Sequence, residues 1–114
     1  MLKPFRVRVL FLQLPCVDKD VSGPGENVSL AADYLRYAMG NAGLRGKCVV
    51  IVQREGLDRL DDAHLVDRIL GARPDIVCAT LYAWNVERSI DVLRKLKAVN
   101  QRLKVAVGGP EVAR

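Results

Sequence analysis

Four short apolar segments alternate with amphipathic segments along the chain. The apolar segments are VRVLFLQL, CVVIV, DIVCATL and KVAV, at residues 7–14, 48–52, 75–81 and 104–107. Each has the length of a β-strand, and the second and third are nearly continuous apolar runs rich in Val and Ile. That pattern is typical of strands covered on both faces by helices. We therefore predict four strands of a parallel sheet.

The first amphipathic segment predicts a helix over residues 28–41. Gly40 and Gly43 are expected to end this helix, because glycine suits the left-handed backbone that follows a helix. Its predicted buried face consists of apolar residues that recur at steps of three and four, namely Leu30, Tyr34, Leu35, Ala38 and Ala42.

The second helix has clear signals at both ends. Asp61 is the predicted N-cap, and Leu60 and Leu65 are placed to form a hydrophobic staple across it. Gly71 suits the left-handed residue after the helix, and Pro74 prevents its continuation.

The third helix is predicted to begin at Asn85, which is a candidate N-cap. Its buried stripe and the edge of that stripe are predicted at Ile90, Leu93, Leu96 and residues 97–99. Its solvent face is predicted to hold Arg88, Arg94 and Lys95.

The alternation of strands and helices predicts an α/β fold. Right-handed crossovers give an open, doubly wound parallel sheet, most simply a flavodoxin-like (Rossmann-like) one with strand order 2-1-3-4. Ligands bind such sheets outside the carboxyl ends of the strands, at the switch point between strands one and three. This rule selects the segments 15–27, 82–85 and 108–112.

A fifth strand and a last helix usually complete such a sheet. The sequence stops at Arg114, shortly after GGPEV. We expect a single domain over residues 1–114, truncated before its fifth strand, with a longer natural protein continuing beyond it.

Composition narrows the class of protein. The chain has 114 residues, of which 50% are hydrophobic and 27% charged, with a net charge of +5. These values describe one compact domain. No apolar run approaches the roughly 20 residues of a membrane-spanning helix. We expect no signal peptide, and we expect a soluble, cytoplasmic protein without a membrane partner. The Lys and Arg residues are spread along the chain, which does not favour nucleic-acid binding.

Several kinds of chemistry are excluded. Cys16, Cys48 and Cys78 are far apart, without the spacing of a zinc or iron–sulfur site, and we expect no disulfide. The single histidine, His64, lies on the second helix with no nucleophile near it in the sequence. The strand ends that form the acidic magnesium pocket of a phosphorylated receiver domain hold only uncharged residues here, namely Leu12, Gln13, Ala79 and Thr80.

The last third of the chain resembles a known family. Residues 74–112 include LYAWN, directly after the third strand, and VGGPEV, at the end of the fourth. This stretch is similar to the N-terminal cobalamin-binding (B12-binding) domain of B12-dependent radical S-adenosylmethionine (SAM) proteins. The resemblance implies a module that binds cobalamin and presents it to a downstream radical SAM domain, for methyl transfer or related radical chemistry.

The resemblance also implies where the partners lie. Radical SAM chemistry needs S-adenosylmethionine and a 4Fe-4S cluster held by CxxxCxxC, a spacing that this chain lacks. We therefore expect no catalytic residue and no metal ligand in this segment, and we expect the full-length parent to be the enzyme.

Three motifs of the wider cobalamin-binding family can be laid over the chain. The SxL motif after strand three corresponds to Ala79-Thr80-Leu81, and the GG motif after strand four corresponds to Gly108-Gly109. Consecutive glycines let a backbone approach a flat macrocycle without Cβ collisions. Taken alone, the same glycines indicate only a tight turn.

The third motif, DxHxxG, corresponds to Asp18, Asp20 and Gly23, with Asp20 where the cobalt-ligating histidine stands in the family. The resemblance then implies that cobalamin binds base-off, without a histidine ligand. The other residues that we assign to the cofactor site are Tyr82, Trp84, Asn85, Pro110 and Glu111.

Two alternatives stay open. Trp84 either packs against the corrin or forms a staple against the third helix. At the level of function, the rival is a non-catalytic flavodoxin-like module that binds a protein partner or senses a nucleotide.

Overall fold

The computed structural model describes residues 6–15, 30–44, 47–52 and 61–113. In this part of the chain, four strands alternate with three helices. The strands are β1 (Val7–Leu12), β2 (Cys48–Val52), β3 (Ile76–Thr80) and β4 (Lys104–Gly108). The helices are α1 (Leu30–Asn41), α2 (Asp62–Gly71) and α3 (Val86–Val99), and a 3₁₀ helix, Pro110–Ala113, follows β4.

The four strands form one parallel sheet with the spatial order β2-β1-β3-β4. The predicted α/β class with a parallel sheet is confirmed. β1 and β3 end earlier than predicted, so that Leu14 and Leu81 lie beyond the strands although both are buried. Thr80 pairs with Gly108, so β3 and β4 end at the same level.

The two faces of the sheet are covered by different helices. Leu10 and Leu12 of β1 belong to the larger core cluster, which includes the buried apolar residues of α2 and α3. Val9 and Phe11 alternate with them and lie on the opposite face, with Ala32 of α1. The period of two along β1 thus separates the two layers.

The predicted buried face of α1 is wrong. Tyr34, Leu35, Ala38 and Ala42 are exposed, whereas Ala32 is only 1% exposed and packs with Val9 and Phe11. The sequence LAADYLRYAMGN is apolar around much of the helix, so spacings of three and four occur on more than one face. The residues of α1 that belong to this second core cluster are Ala32 and the half-buried Met39. Residues 28–29 of the predicted helix lie outside the described residues.

The end of α1 is a Schellman motif. The Gly43 N–H donates to Gly40 O (3.2 Å) and the Leu44 N–H donates to Met39 O (3.0 Å). Gly43 has φ +76, as the left-handed residue of this motif requires. The prediction for Gly43 is confirmed, whereas Gly40 lies inside the helix and does not end it.

Replacing Gly43 by Ala should lower the free energy of unfolding by about 1 kcal/mol, because an L-residue is strained at positive φ. A Cβ there would meet no atom within 4 Å, so backbone strain is the whole effect. Gly71→Ala is the matched control, since Gly71 lies in a helix and a Cβ there would also meet no atom within 4 Å. This replacement should raise the free energy of unfolding by about 0.5–1 kcal/mol, because Ala favours the helix more than Gly does. Urea denaturation measures both. Changes of the same sign would contradict the assignment of Gly43.

The start of α2 is as predicted and its end is not. Asp61 is the N-cap, and its side chain accepts a hydrogen bond from the His64 N–H (2.9 Å). Gly71, however, is the last residue of the helix, and the left-handed residue is Arg73, with φ 53. Arg73 precedes Pro74, and a residue before proline disfavours the right-handed helical region. Leu60 of the predicted staple lies outside the described residues.

Ion pairs connect α2 with α3. Arg88 Nε lies 3.0 Å from Asp62 Oδ1, and Lys95 Nζ lies 3.5 Å from Asp62 Oδ2. The hydrogen bond from Arg88 is the main cause that lowers the pKa of Asp62. Arg94 and Lys95 are exposed, as predicted. Arg88 is half-buried, so its predicted place on the solvent face is wrong. Val99, predicted at the edge of the buried stripe, is exposed.

Among the described residues, no helix has the length and apolar character needed to cross a membrane.

Candidate functional site

The carboxyl ends of β1, β3 and β4 meet at one edge of the sheet, which we call the carboxyl edge. It comprises residues 13–15 after β1, residues 80–85 from the last residue of β3 onward and residues 108–113 from the last residue of β4 onward. Most residues of the predicted cofactor site lie here. Asp18, Asp20 and Gly23 lie outside the described residues.

Asn85 connects two of these segments. It is only 1% exposed, and its Nδ2 donates to Leu14 O (2.8 Å) and to Thr80 O (3.2 Å). Its Oδ1 accepts from the Tyr82 N–H (2.8 Å). One side chain thus fixes the end of β1, the end of β3 and the turn that leads into α3.

The predicted position of Asn85 at the start of α3 is confirmed, but the capping hydrogen bond expected of its side chain is not formed. The reason is that its amide oxygen is already bound to the Tyr82 N–H, on the other side of the residue. The buried amide acts as a brace between backbone segments, and its hydrogen-bonding atoms point to protein partners.

The segments after β3 and β4 are joined by backbone hydrogen bonds. The Leu81 N–H donates to Gly108 O (2.7 Å), and the Glu111 N–H donates to Leu81 O (3.3 Å). The Val112 N–H donates to Gly109 O (3.3 Å) and closes the 3₁₀ helix. Gly109 therefore lies against Leu81, held between two of these bonds.

The two consecutive glycines have different structural roles. Gly109 has φ +99, and a Cβ on it would lie 2.6 Å from Leu81 O and 2.9 Å from Leu81 N. Its lack of a side chain is required by the protein itself. Gly108 has no positive φ, and a Cβ there would meet nothing within 4 Å. Gly108 is therefore the glycine of the pair at which the backbone is uncrowded.

The SxL-like residues lie at the end of β3 between these features. Ala79 is buried in the core shared with α2 and α3, while Thr80 is half-buried and pairs with Gly108. Of the residues that follow Gly109, Pro110 is exposed and Glu111 is half-buried. Of Ala79 and Thr80, only Thr80 therefore lies beside Gly108, since Ala79 pairs with Val107.

An aromatic pair lies on the same edge. The rings of Tyr82 and Trp84 are stacked, with centroids 4.5 Å apart and an angle of 4° between the ring planes. Trp84 keeps 51% of its surface exposed. Neither of the two alternatives predicted for Trp84 includes stacking on Tyr82, although Tyr82 and Trp84 are both part of LYAWN. The pair offers a flat apolar surface with a polar phenol at one end.

The titratable residues on the described part of this edge are Tyr82 and Glu111. Within the described residues, no three His, Cys, Asp or Glu side chains are placed to hold a metal ion. Cys48 and Cys78 are free and half-buried, and burial raises the pKa of the Cys78 thiol. His64 is largely exposed on α2 and its Nδ1 lies 2.8 Å from Asp61 Oδ1. What the described edge exposes includes backbone, at Gly108, and aromatic surface, at Tyr82 and Trp84.

Neither a scan against protein-family models nor a search of curated proteins finds a match for the chain.

Proposed function

We propose that this chain is a flavodoxin-like domain that binds cobalamin at its carboxyl edge and presents it to a radical SAM domain. The observation that carries the proposal is the pairing of an open backbone at Gly108 with a stacked, exposed aromatic pair on the same edge. The resemblance of LYAWN and VGGPEV to the B12-binding domain points to the same residues.

The residues present fit such a cofactor. A corrin is a broad, flat macrocycle with amide side chains, so it needs close backbone approach, flat apolar contacts and a few polar groups. Gly108 would provide the close backbone approach, and the Tyr82–Trp84 pair would provide the flat apolar contact. Asn85 holds the segments that carry them in fixed relative positions, because its three hydrogen bonds join β1, β3 and the turn after β3.

Within this proposal, the chain's own residues bind and orient the cofactor and do no chemistry themselves. Bound cobalamin supplies a cobalt centre for methyl transfer or a related radical reaction. The sequence places Asp20 where a histidine ligand stands in the wider family, so the proposed mode of binding is base-off without an imidazole ligand. S-adenosylmethionine and the 4Fe-4S cluster belong to the downstream domain of the proposed parent enzyme.

Titration with hydroxocobalamin tests the proposal. After desalting, the protein should stay coloured and show a base-off visible spectrum. At a free cofactor concentration of about 100 times Kd, the free energy of unfolding should rise by about 2.7 kcal/mol. A colourless protein with an unchanged melting temperature would overturn cobalamin binding and favour the interaction or nucleotide-sensing module.

Gly108→Val tests the location of the site. Because a Cβ at Gly108 would meet no protein atom within 4 Å, the valine side chain should occupy the space proposed for the ligand, and hydroxocobalamin affinity should fall about tenfold or more. Ala106→Val is the matched control, since Ala106 is exposed on the same strand two residues earlier. Equal affinities in the two variants would remove Gly108 from the site.

A further inference from the structure

A second concave surface lies at the opposite end of the sheet. A cavity of about 530 Å³ is formed by one side of α1, by Leu44 after it and by the first residue of β2, Cys48. Its size falls within the range of roughly 300–1,000 Å³ that is typical of small-molecule sites. Since β2 begins there, the cavity is separate from the carboxyl edge.

The wall of the cavity is held by backbone hydrogen bonds. The Leu44 N–H donates to Met39 O (3.0 Å), and the Cys48 N–H donates to Leu44 O (3.0 Å). The Val7 N–H donates to Lys47 O (3.0 Å) and ties the same segment to β1. The cavity is therefore built on the rigid end of a helix and the start of a paired strand.

The lining combines an apolar part with two opposite charges. Met39, Leu44 and Cys48 are half-buried and supply the apolar surface. Asp33 and Arg36 also line the cavity and are exposed. They stand three positions apart on α1, where side chains are neighbours, yet none of the ion pairs among the described residues joins them. Both charges remain available to a ligand.

We propose that this cavity binds a zwitterionic α-amino acid with an apolar side chain. Arg36 would pair with the carboxylate, for which a guanidinium is the best-matched partner, and Asp33 would pair with the ammonium group. The side chain of the ligand would lie against Met39, Leu44 and Cys48, beside the ring of Tyr37. A ligand with only one charge would leave one of the two residues unpaired.

A series of three probes tests this assignment. L-Phenylalanine carries both charges, 3-phenylpropionate lacks the ammonium group and 2-phenylethylamine lacks the carboxylate. Phenylalanine should bind with a Kd of about 1 mM, as expected for a ligand of its size, and each of the other two about tenfold more weakly. Binding is read from the rate of iodoacetamide alkylation at Cys48, mapped by mass spectrometry, with Cys78 as the internal reference.

The expected result is slower alkylation of Cys48 with no change at Cys78. Arg36→Gln and Asp33→Asn should each weaken phenylalanine about tenfold, whereas Arg94→Gln, an exposed arginine on α3, should have no effect. Equal binding of the three probes, equal protection of Cys78, or no protection at about 20 mM phenylalanine would overturn the proposal. None of these readouts depends on cobalamin.

Discussion

Replacing Asn85 by Leu is expected to lower the free energy of unfolding by about 3–4 kcal/mol, the upper range for a single substitution. The apolar side chain has a similar volume but can make none of the three hydrogen bonds of the amide. The Tyr82 N–H and the carbonyl oxygens of Leu14 and Thr80 would lose their buried partner. Each such loss costs about 1–3 kcal/mol when the group has no access to water. Urea denaturation monitored by circular dichroism measures the change.

Asn100→Leu is the matched control. Asn100 is exposed, and its Oδ1 accepts one hydrogen bond, from the Arg102 N–H (3.1 Å). Its replacement should cost less than about 1 kcal/mol, because water can replace the lost bond. If the two leucine variants were equally stable, Asn85 would not be the brace of the carboxyl edge.

Asn85→Asp distinguishes the hydrogen bond that the Asn85 side chain accepts from the two that it donates. The carboxylate can still accept from the Tyr82 N–H, but it faces the oxygens of Leu14 and Thr80 without a hydrogen to donate. Burial and these two carbonyl groups should raise the pKa of the new carboxyl above its unfolded value. The folded state then binds more protons than the unfolded state, so the loss of stability relative to the wild type should grow as the pH rises above about 4.

The elements of this fold can be predicted from local pattern. The run CVVIV predicts β2 with its observed bounds, and Asp61 predicts the start of α2, because both depend on nearby residues. The buried face of α1 could not be predicted the same way. Where apolar residues surround a helix, the packed face depends on which small residue fits against the sheet, and here that residue is Ala32.

Hydrogen bonds between residues far apart in the sequence explain why the role of Asn85 at the carboxyl edge could not be predicted. Asn85 has the residue type and position of an N-cap, which is a local signal. Its main partner is the carbonyl of Leu14, 71 residues away along the chain, and only the assembled sheet brings the two together. LYAWN and VGGPEV do come together in the structure, because they follow neighbouring parallel strands, whose carboxyl ends share one edge.

The different roles of Gly108 and Gly109 could not be predicted from the sequence either, because they depend on contacts with the distant Leu81. Gly109→Ala should lower the free energy of unfolding by about 3 kcal/mol, through strain at φ +99 and collision of the new Cβ with Leu81 O, 2.6 Å away. The collision involves backbone on both sides, so no side-chain rotation can relieve it. Thermal or urea unfolding at fixed pH measures the effect.

Gly108→Ala, one residue earlier, is the control for Gly109→Ala. It has neither positive φ nor a contact within 4 Å, so its stability should stay within about 0.5 kcal/mol of the wild type. Similar losses in both variants would mean that the Gly109–Leu81 contact does not hold the edge together. With the expected difference, a binding defect in a Gly109 variant follows from a displaced loop, and only substitutions at Gly108 report on ligand approach.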